Sequence, residues 1–379
     1  MKAAIVTFIR AYNHGAVLQC FALQHALEKI GIDSEVIDYN PQYFQAQYNL
    51  HYLGKLRYFP YRPLKNWAKY TPMYWVLNKR NRGFSNFIKK HIKLSKDQYY
   101  TISDLDSPNL DYASYIAGSD QVWSPFCANF DPVFFLDFKA ANSKKKYSYA
   151  ASFGTDKIPE HLLAEYYKRL KNYSYISVRE PSAISLAEKI LGTTPSLCCD
   201  PTLLFDQHDW MKLLPIRRRK KGGPYILVYT VHPTIDILPL VTELKNTLNI
   251  KAYSITSIST YEGLMGKKCK SLDITHIGSA SPLDFLELFL NAEYIITDSF
   301  HGTVFSILFH KNFRTLTVHP SGYINSRADT LLRELDLQSC AISFSDYNFD
   351  PLKIDWKKVD SELSSKREKS LNYLHSLDI

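Results

Sequence analysis

The stretch Ala3–Tyr39, AAIVTFIRAYNHGAVLQCFALQHALEKIGIDSEVIDY, decides the fold class. Ala3–Phe8 is a short apolar run of strand length that ends in the polar turn Arg10–Gly15. From Ala16 to Ile30 the apolar positions repeat at helical spacing, and Gly31 closes the helix in the left-handed position that glycine tolerates. Ser34–Tyr39 then reads as a second strand. Strand, helix and strand within the first forty residues make a βαβ unit, which implies a parallel sheet crossed by helices.

The same rhythm extends outward. Strands are expected at Tyr115–Ala117, Lys146–Phe153, Tyr175–Val178 and Ser196–Cys199, with helices near 159–172 and 181–191. The run Arg217–Pro224, RRRKKGGP, then reads as a linker, because clustered like charges and Gly-Gly-Pro suit neither a helix nor a strand. Past it a second alternating series begins, with strands at Tyr225–Val231, Lys251–Thr256, Ile274–Ile277, Tyr294–Thr297 and Arg314–Val318. Helices are expected at 234–248, 282–291 and 299–310, and Ser281-Pro282 supplies a cap and a first-turn proline for one of them. The expected fold is α/β, two doubly wound Rossmann-like domains facing a cleft. Residues 1–216 form the first domain, with an insertion at about 41–100; 222–345 form the second, and 346–379 a tail helix that packs back. A length of 379 residues suits two domains of ordinary size.

Composition narrows the function classes. With 45% hydrophobic and 22% charged residues, disorder, collagen and coiled coil are excluded. No run reaches the ~18–20 apolar residues of a spanning helix, and the start lacks the pattern of a secretory signal. Six cysteines without a CxxC pair read as reduced thiols of a cytoplasmic protein, with no metal site expected. The charge is uneven. Residues 39–96 hold no Asp or Glu but 12 basic residues, more than the net +9 of the whole chain. The same segment carries Trp67, Trp75 and many tyrosines. Amphipathic aromatics beside Lys and Arg suit a lipid–water interface. One expectation is therefore salt-sensitive docking on an anionic membrane through residues such as Lys65, Lys69, Arg80 and Arg82. The plain alternative is a helical insertion whose aromatics pack on the first domain. No nucleic-acid-binding motif accompanies the segment, and no nucleic acid partner is expected.

In doubly wound sheets ligands bind beyond the carboxyl ends of the strands. That rule singles out the segments Arg10–Gly15, Gly118–Trp123, Ser152–Gly154, Arg179-Glu180, Asp200–Thr202, His232-Pro233 and Asp298–Thr303. The last is the most informative, since the strand AEYIIT runs straight into DSFHG and then into the helical TVFSILFH. Ser299, His301 and the amides around Gly302 would sit at a helix N-terminus, where free N–H groups attract an anion. Alternatively Asp298 or Ser299 only caps the helix and His301 belongs to the core. Arg179 leaves a strand in YISVRE and needs an anionic partner; Glu180, next to it, points the other way on an extended chain. An interdomain salt bridge is the plain alternative. The Gly118–Trp123 turn could hold a sugar by stacking, unless Trp123 is core. GxGxxG, GxxxxGK[ST], HExxH and GxSxG are all absent, which removes support from dinucleotide, P-loop, zinc-protease and α/β-hydrolase readings.

Taken in order, six segments resemble the polysaccharide pyruvyl transferase family: NHGAVLQCFALQHAL (Asn13–Leu27), AGSDQVW (Ala117–Trp123), SYAASFG (Ser148–Gly154), SVRE (Ser177–Glu180), CDPTLL (Cys199–Leu204) and TDSFHGTVFSI (Thr297–Ile307). The resemblance implies a glycosyltransferase-B-like arrangement of the two domains, and transfer of the enolpyruvyl group of phosphoenolpyruvate onto a saccharide, closing a ketal across two hydroxyls without a metal or resident cofactor. It also implies a lipid-linked saccharide acceptor in surface polysaccharide biosynthesis, which would put the membrane docking at the inner face. The donor would be held by Arg179, Ser299, His301 and Gly302, with His301 also a candidate acid. Several members carry an arginine where this chain has Ser299, so Arg327, Arg10 or Lys311 is expected to supply the missing cation. Asp120 and His232 are candidate bases for the acceptor hydroxyls, and Asn13, Gly15, Ser119, Asp120, Gln121 and Trp123 candidate acceptor contacts. The alternative is a nucleotide-sugar-dependent glycosyltransferase of the same build, since a diphosphate suits a helix N-terminus equally well.

Overall fold

A computed structural model describes residues 2–48, 67–218, 223–231, 237–256, 262–318, 325–343, 349 and 352–379. Two parallel sheets organise the chain. The first joins β1 (Lys2–Val6), β2 (Asp33–Tyr39), β3 (Leu94–Tyr99), β4 (Ser114–Ala117) and β5 (Lys145–Ser148) in the order β3-β2-β1-β4-β5. A two-stranded ladder follows, β6 (Ser177–Val178) with β7 (Ser196–Leu197). The second sheet joins β8 (Tyr225–Thr230), β9 (Lys251–Thr256), β10 (Thr275–His276), β11 (Tyr294–Thr297), β12 (Asn312–Val318) and β13 (Ala341–Ser343) in the order β10-β9-β8-β11-β12-β13. Both sheets reverse strand order beside their first strand, between β1 and β4 and between β8 and β11. Those reversals are where a doubly wound sheet opens a crevice for ligand.

Seven of the helices position the cleft and its rim: α1 (His14–Lys29), α2 (Trp67–His91), α3 (Pro181–Leu191), α4 (Pro282–Asn291), α5 (Phe300–Leu308), α6 (Ser326–Glu334) and α7 (Trp356–His375). Their starts are written locally. Asn13 caps α1 through Gly15 N and Ala16 N, and Ser281 with Asp284 forms a reciprocal capping box on α4, with Pro282 in the first turn. Gly31 follows α1 with φ +86°, the left-handed conformation its position requires. Among the described residues no helix is long and apolar enough to cross a membrane.

The apolar core runs on between the sheets. Phe21 of α1 lies 5.9 Å from the Trp210 ring, Trp210 lies 5.0 Å from Phe305 of α5, and Phe305 lies 5.3 Å from Phe285 of α4. His14 stacks on Phe285 at 5.0 Å, and its Nε2 lies 3.0 Å from Ala280 O. Helix α7 then straddles both halves. Tyr373 Oη donates to Ser148 O and Arg367 to Leu203 O on one side, while Lys358 and Lys366 pair with Asp336 and Glu334 on the other.

Three sequence expectations change. The expected insertion contains an integral strand, because LSKDQY pairs as β3 along β2; its polar alternation suits the edge of a sheet with one wet face. Arg80, expected to face a membrane, is 1% exposed: it donates to Thr256 O at 2.9 Å and to Tyr12 O at 3.3 Å. The strand expected at Lys146–Phe153 stops at Ser148, since Ala150 turns the chain at φ +47° and Ala151 keeps only isolated bridges. Lys65, residues 219–222 of the RRRKKGGP run and His232 lie outside the described residues.

Candidate active site between the two sheets

The two strand-order reversals face each other, and the segments that follow β1, β4, β6 and β11 meet there. After β1 the chain turns through Asn13 into α1. A β-carbon added to Gly15 would lie 2.0 Å from His301 Nδ1, so the first turn of α1 rests directly on the His301 ring. After β11, Ser299 caps α5, its Oγ accepting from Gly302 N at 3.3 Å. Gly302 allows this close join: a β-carbon there would lie 2.2 Å from Thr297 Oγ1.

Arg179 is the hub. Its side chain is buried, and Nε donates to Glu180 Oε1 at 2.9 Å while Nη1 donates to Asp200 Oδ2 at 2.7 Å. Asp120 Oδ1 stands 4.0 Å away, and the guanidinium lies over the Phe300 ring at 4.7 Å. Burial works against its charge, but Glu180, Asp200 and Asp120 hold the proton on. Asp200 Oδ1 accepts from Thr202 N at 3.0 Å and Thr202 Oγ1 at 2.6 Å, and Oδ2 lies 3.5 Å from His301 Nε2. Burial alone would raise the Asp200 carboxyl; His301, Arg179 and Thr202 together hold it well below the usual carboxylate range. In this cluster Arg179 Nη2 has no hydrogen-bond partner, and His301 Nε2 has none closer than Asp200 Oδ2 at 3.5 Å. A buried polar atom left this way calls for an explanation, and a bound ligand is one.

Beside this cluster opens a cavity of roughly 260 Å³ lined by Arg179, Asp200, Phe300, Arg327, Lys366 and Lys369. Arg327, half-buried at the start of α6, has its guanidinium 5.8 Å from the Phe300 ring. Arg327 and Lys369 make no ion pair among the described residues, whereas Lys366 is held by Glu334 at 3.0 Å. Cys198 and Cys199 line the same wall, and burial pushes their thiols up to about 12 and about 11, which keeps both protonated near neutrality. The cavity wall therefore carries Arg179, Arg327, Lys366 and Lys369 against Glu180, Asp200 and Glu334, with an aromatic face from Phe300 and the His301 ring behind Asp200.

Polysaccharide pyruvyl transferases have a family profile that matches residues 13–320. The chain belongs to that family. No curated protein sequence matches the chain significantly. Among solved structures, the Methanocaldococcus jannaschii UDP-GlcNAc 2-epimerase in complex with UDP-GlcNAc and UDP superposes with a TM-score of 0.55 at 16% identity, covering 99% of each chain. A putative UDP-N-acetylglucosamine 2-epimerase from Listeria monocytogenes gives 0.51 at 11% identity, covering 98% of this chain and 90% of that one. These likenesses show the fold, which is glycosyltransferase-B-like.

The family motifs land unequally on the site. Arg179, Glu180, Asp200, His301 and Gly302 come together, with Asp120 at the edge. Glu180 does not point away from Arg179 as expected. The strand ends at Val178 and Glu180 is the residue before α3; its backbone is still extended, yet its carboxylate accepts from Arg179 Nε and from Ser152 Oγ. Asp120 adopts φ +75°, a strained conformation for a residue with a side chain, and its Oδ1 accepts from Gln121 N. Gln121 packs against Gly154, where a β-carbon would lie 2.4 Å from its Nε2. Trp123 and Ser119, expected to meet a sugar, are fully buried. Trp123 sits among Phe135, Phe153 and Tyr173, and Ser119 Oγ donates to Ala150 O at 2.9 Å. The Asn13 and Ser299 side chains serve as helix caps. Arg10 is committed to Asp38, with Nε donating to Oδ1 at 2.6 Å, and so does not replace the arginine that Ser299 lacks. Sequence reasoning gave no role to Asp200, Phe300 or Lys369. Asp200 lay within the CDPTLL motif and followed a strand, which was the available signal; α7 carried none.

Proposed function

We propose that this transferase moves the enolpyruvyl group of phosphoenolpyruvate onto two hydroxyls of a saccharide. The observation that carries the reading is the buried Arg179, whose Nη2 has no hydrogen-bond partner, on the wall of a cavity that also presents Arg327 and Lys369, with His301 close by across Asp200. Phosphoenolpyruvate carries a phosphate and a carboxylate on one small carbon frame, and the cavity offers cations on more than one side. Phe300 gives its alkene an apolar surface.

The chemistry follows from that placement. A proton delivered to C3 leaves C2 electron-poor, and an acceptor hydroxyl adds there and releases its proton. Phosphate then departs as a second hydroxyl attacks C2, closing the ketal and releasing the second proton to phosphate. His301 is the group positioned to give or hold a proton at the donor, because its ring is fixed between Gly15 and Asp200. Arg179 and Arg327 stabilise the charge that grows on the leaving phosphate. Asp120, largely buried beside Arg179, is the candidate base for the acceptor hydroxyls.

The test incubates the full chain with phosphoenolpyruvate and saccharides that carry neighbouring hydroxyl pairs. Phosphate release should match a product heavier by one pyruvate less one water. Thermal stabilisation by a uridine nucleotide but not by phosphoenolpyruvate would instead indicate a nucleotide-sugar donor.

A further inference from the structure

Helix α2 has two unlike faces. Leu77, Arg80, Phe84, Phe87 and Ile88 are buried, and Gly83 lies against Ser281 at the start of α4. On the other face Trp75, Lys79, Arg82, Asn86, Lys89 and Lys90 are all exposed, Trp75 to 63%. From Trp75 to Lys89 the steps run four, three, four and three, so these side chains form one stripe about 21 Å long. The helix contains no acidic residue. The acids nearest its groove, Asp284 and Glu287, are taken by Arg218 at 2.9 and 3.2 Å.

The position of the helix matters as much as its composition. Arg80 donates to Tyr12 O, in the turn after β1, and to Thr256 O, the last residue of β9. The buried face is therefore pinned to the carboxyl edges of both sheets, the side on which the catalytic cleft opens. The stripe looks outward from that edge.

We propose that this stripe is a docking surface for an anionic lipid bilayer. An exposed tryptophan at one end of a cationic helix face is the pairing that settles at a headgroup layer, the ring at the interface and the cations on lipid phosphates. Single-stranded nucleic acid fits less well, because it favours aromatics interleaved with the cations and none stands between Lys79 and Lys90 on the stripe. The surface lies apart from the donor cavity, so the inference stands or falls independently of the reaction assigned to the cleft. Docking would hold the cleft edge against the membrane and present it to acceptors carried there.

The experiment is sedimentation of the full chain with phosphatidylcholine vesicles, with and without phosphatidylglycerol, at low and high salt. Binding is expected on the anionic vesicles at low salt, with loss at high salt. Each cation removed should weaken binding about fivefold, so the combined variant Lys79→Gln, Arg82→Gln, Lys89→Gln and Lys90→Gln should lose two to three orders of magnitude. Trp75→Ser should weaken binding to the anionic vesicles at low salt while leaving the salt dependence intact. If the combined variant does not fold, the pair Lys79→Glu and Arg82→Glu replaces it. Absence of vesicle binding by the wild type, or undiminished binding by the charge variants, overturns the proposal. Tighter, stripe-dependent binding to single-stranded RNA than to vesicles overturns it in favour of a nucleic-acid surface.

Discussion

Replacing Gly15 by alanine should disable the site from the far side of the cleft. The added β-carbon would stand 2.0 Å from His301 Nδ1, 2.3 Å from Cγ and 2.6 Å from Cε1. Non-bonded contacts of this kind relax near ~3.5 Å, so the imidazole or the first turn of α1 must retreat by more than ~1 Å. The ring has little room, being 6% exposed and flanked by Asp200 and Phe300. A displacement of ~1 Å in a positioned group costs ~10²-fold in rate, and overpacking at such a contact costs ~1–3 kcal/mol of stability. Gly192→Ala is the control: its φ of +70° makes alanine strained there, yet nothing lies within 4 Å of the added carbon. That strain costs ~1 kcal/mol and leaves the cleft untouched. The assay pairs the initial rate of phosphoenolpyruvate-dependent phosphate release with a thermal midpoint for each variant. Gly15→Ala should lose about two orders of magnitude in rate while Gly192→Ala stays near wild type. Equal rates in the two variants would refute the close apposition of α1 and His301 as a functional contact.

Arg327→Ala should raise the apparent KM for phosphoenolpyruvate about tenfold or more with little change in melting temperature, because the side chain is half-buried and makes no ion pair among the described residues; an unchanged KM removes it from the donor site. Arg179→Lys should cut turnover by more than tenfold, since an ammonium cannot reach Glu180 and Asp200 and still present a free donor; full activity would show that only the charge matters. His14, buried and facing the charge of Arg80, is pushed down to about 3, so the unfolded chain takes up a proton below about 6.5 that the folded chain refuses. Stability should therefore fall as pH drops from about 6.5 towards 3, at up to ~1.4 kcal/mol per pH unit from this group, and His14→Gln should flatten that limb of a pH-dependent melt. An equal slope in the variant assigns the acid sensitivity elsewhere.

Much of the fold was legible because parallel sheets announce themselves. Buried strands such as Ala3–Val6 and Tyr294–Thr297 read as unbroken apolar runs, and the helices between them carry caps and breakers at their ends. The edge strand β3 was missed for the opposite reason, since LSKDQY buries little and so shows little pattern. The site was half legible. Arg179 and His301 stood at strand ends, where the topology rule directs attention. Their connection through Asp200 was hidden, because nothing local in CDPTLL tells which distant side chains its carboxylate will hold. Trp123 misled because an aromatic after a polar turn reads as a binding platform, while its burial is decided by Phe135, Phe153 and Tyr173 arriving from other segments.

The route of α7 has a consequence for biosynthesis. The Cys199 amide in the first half finds its partner in Ser370 and the Tyr147 hydroxyl in the Asp378 carbonyl, while the Ser148 carbonyl, already held by Ser177 Oγ, gains a second donor in Tyr373. At translation speeds of ~5–20 residues per second, those partners leave the ribosome roughly 10–45 s after the segments that need them. Until then the nascent first sheet shows bare the apolar surface later covered by Leu363, Tyr373 and Leu374. Its final closure waits on the second sheet, whose whole sequence lies between. The two halves, alike in architecture, are thus unequal in time: the part made first is completed last.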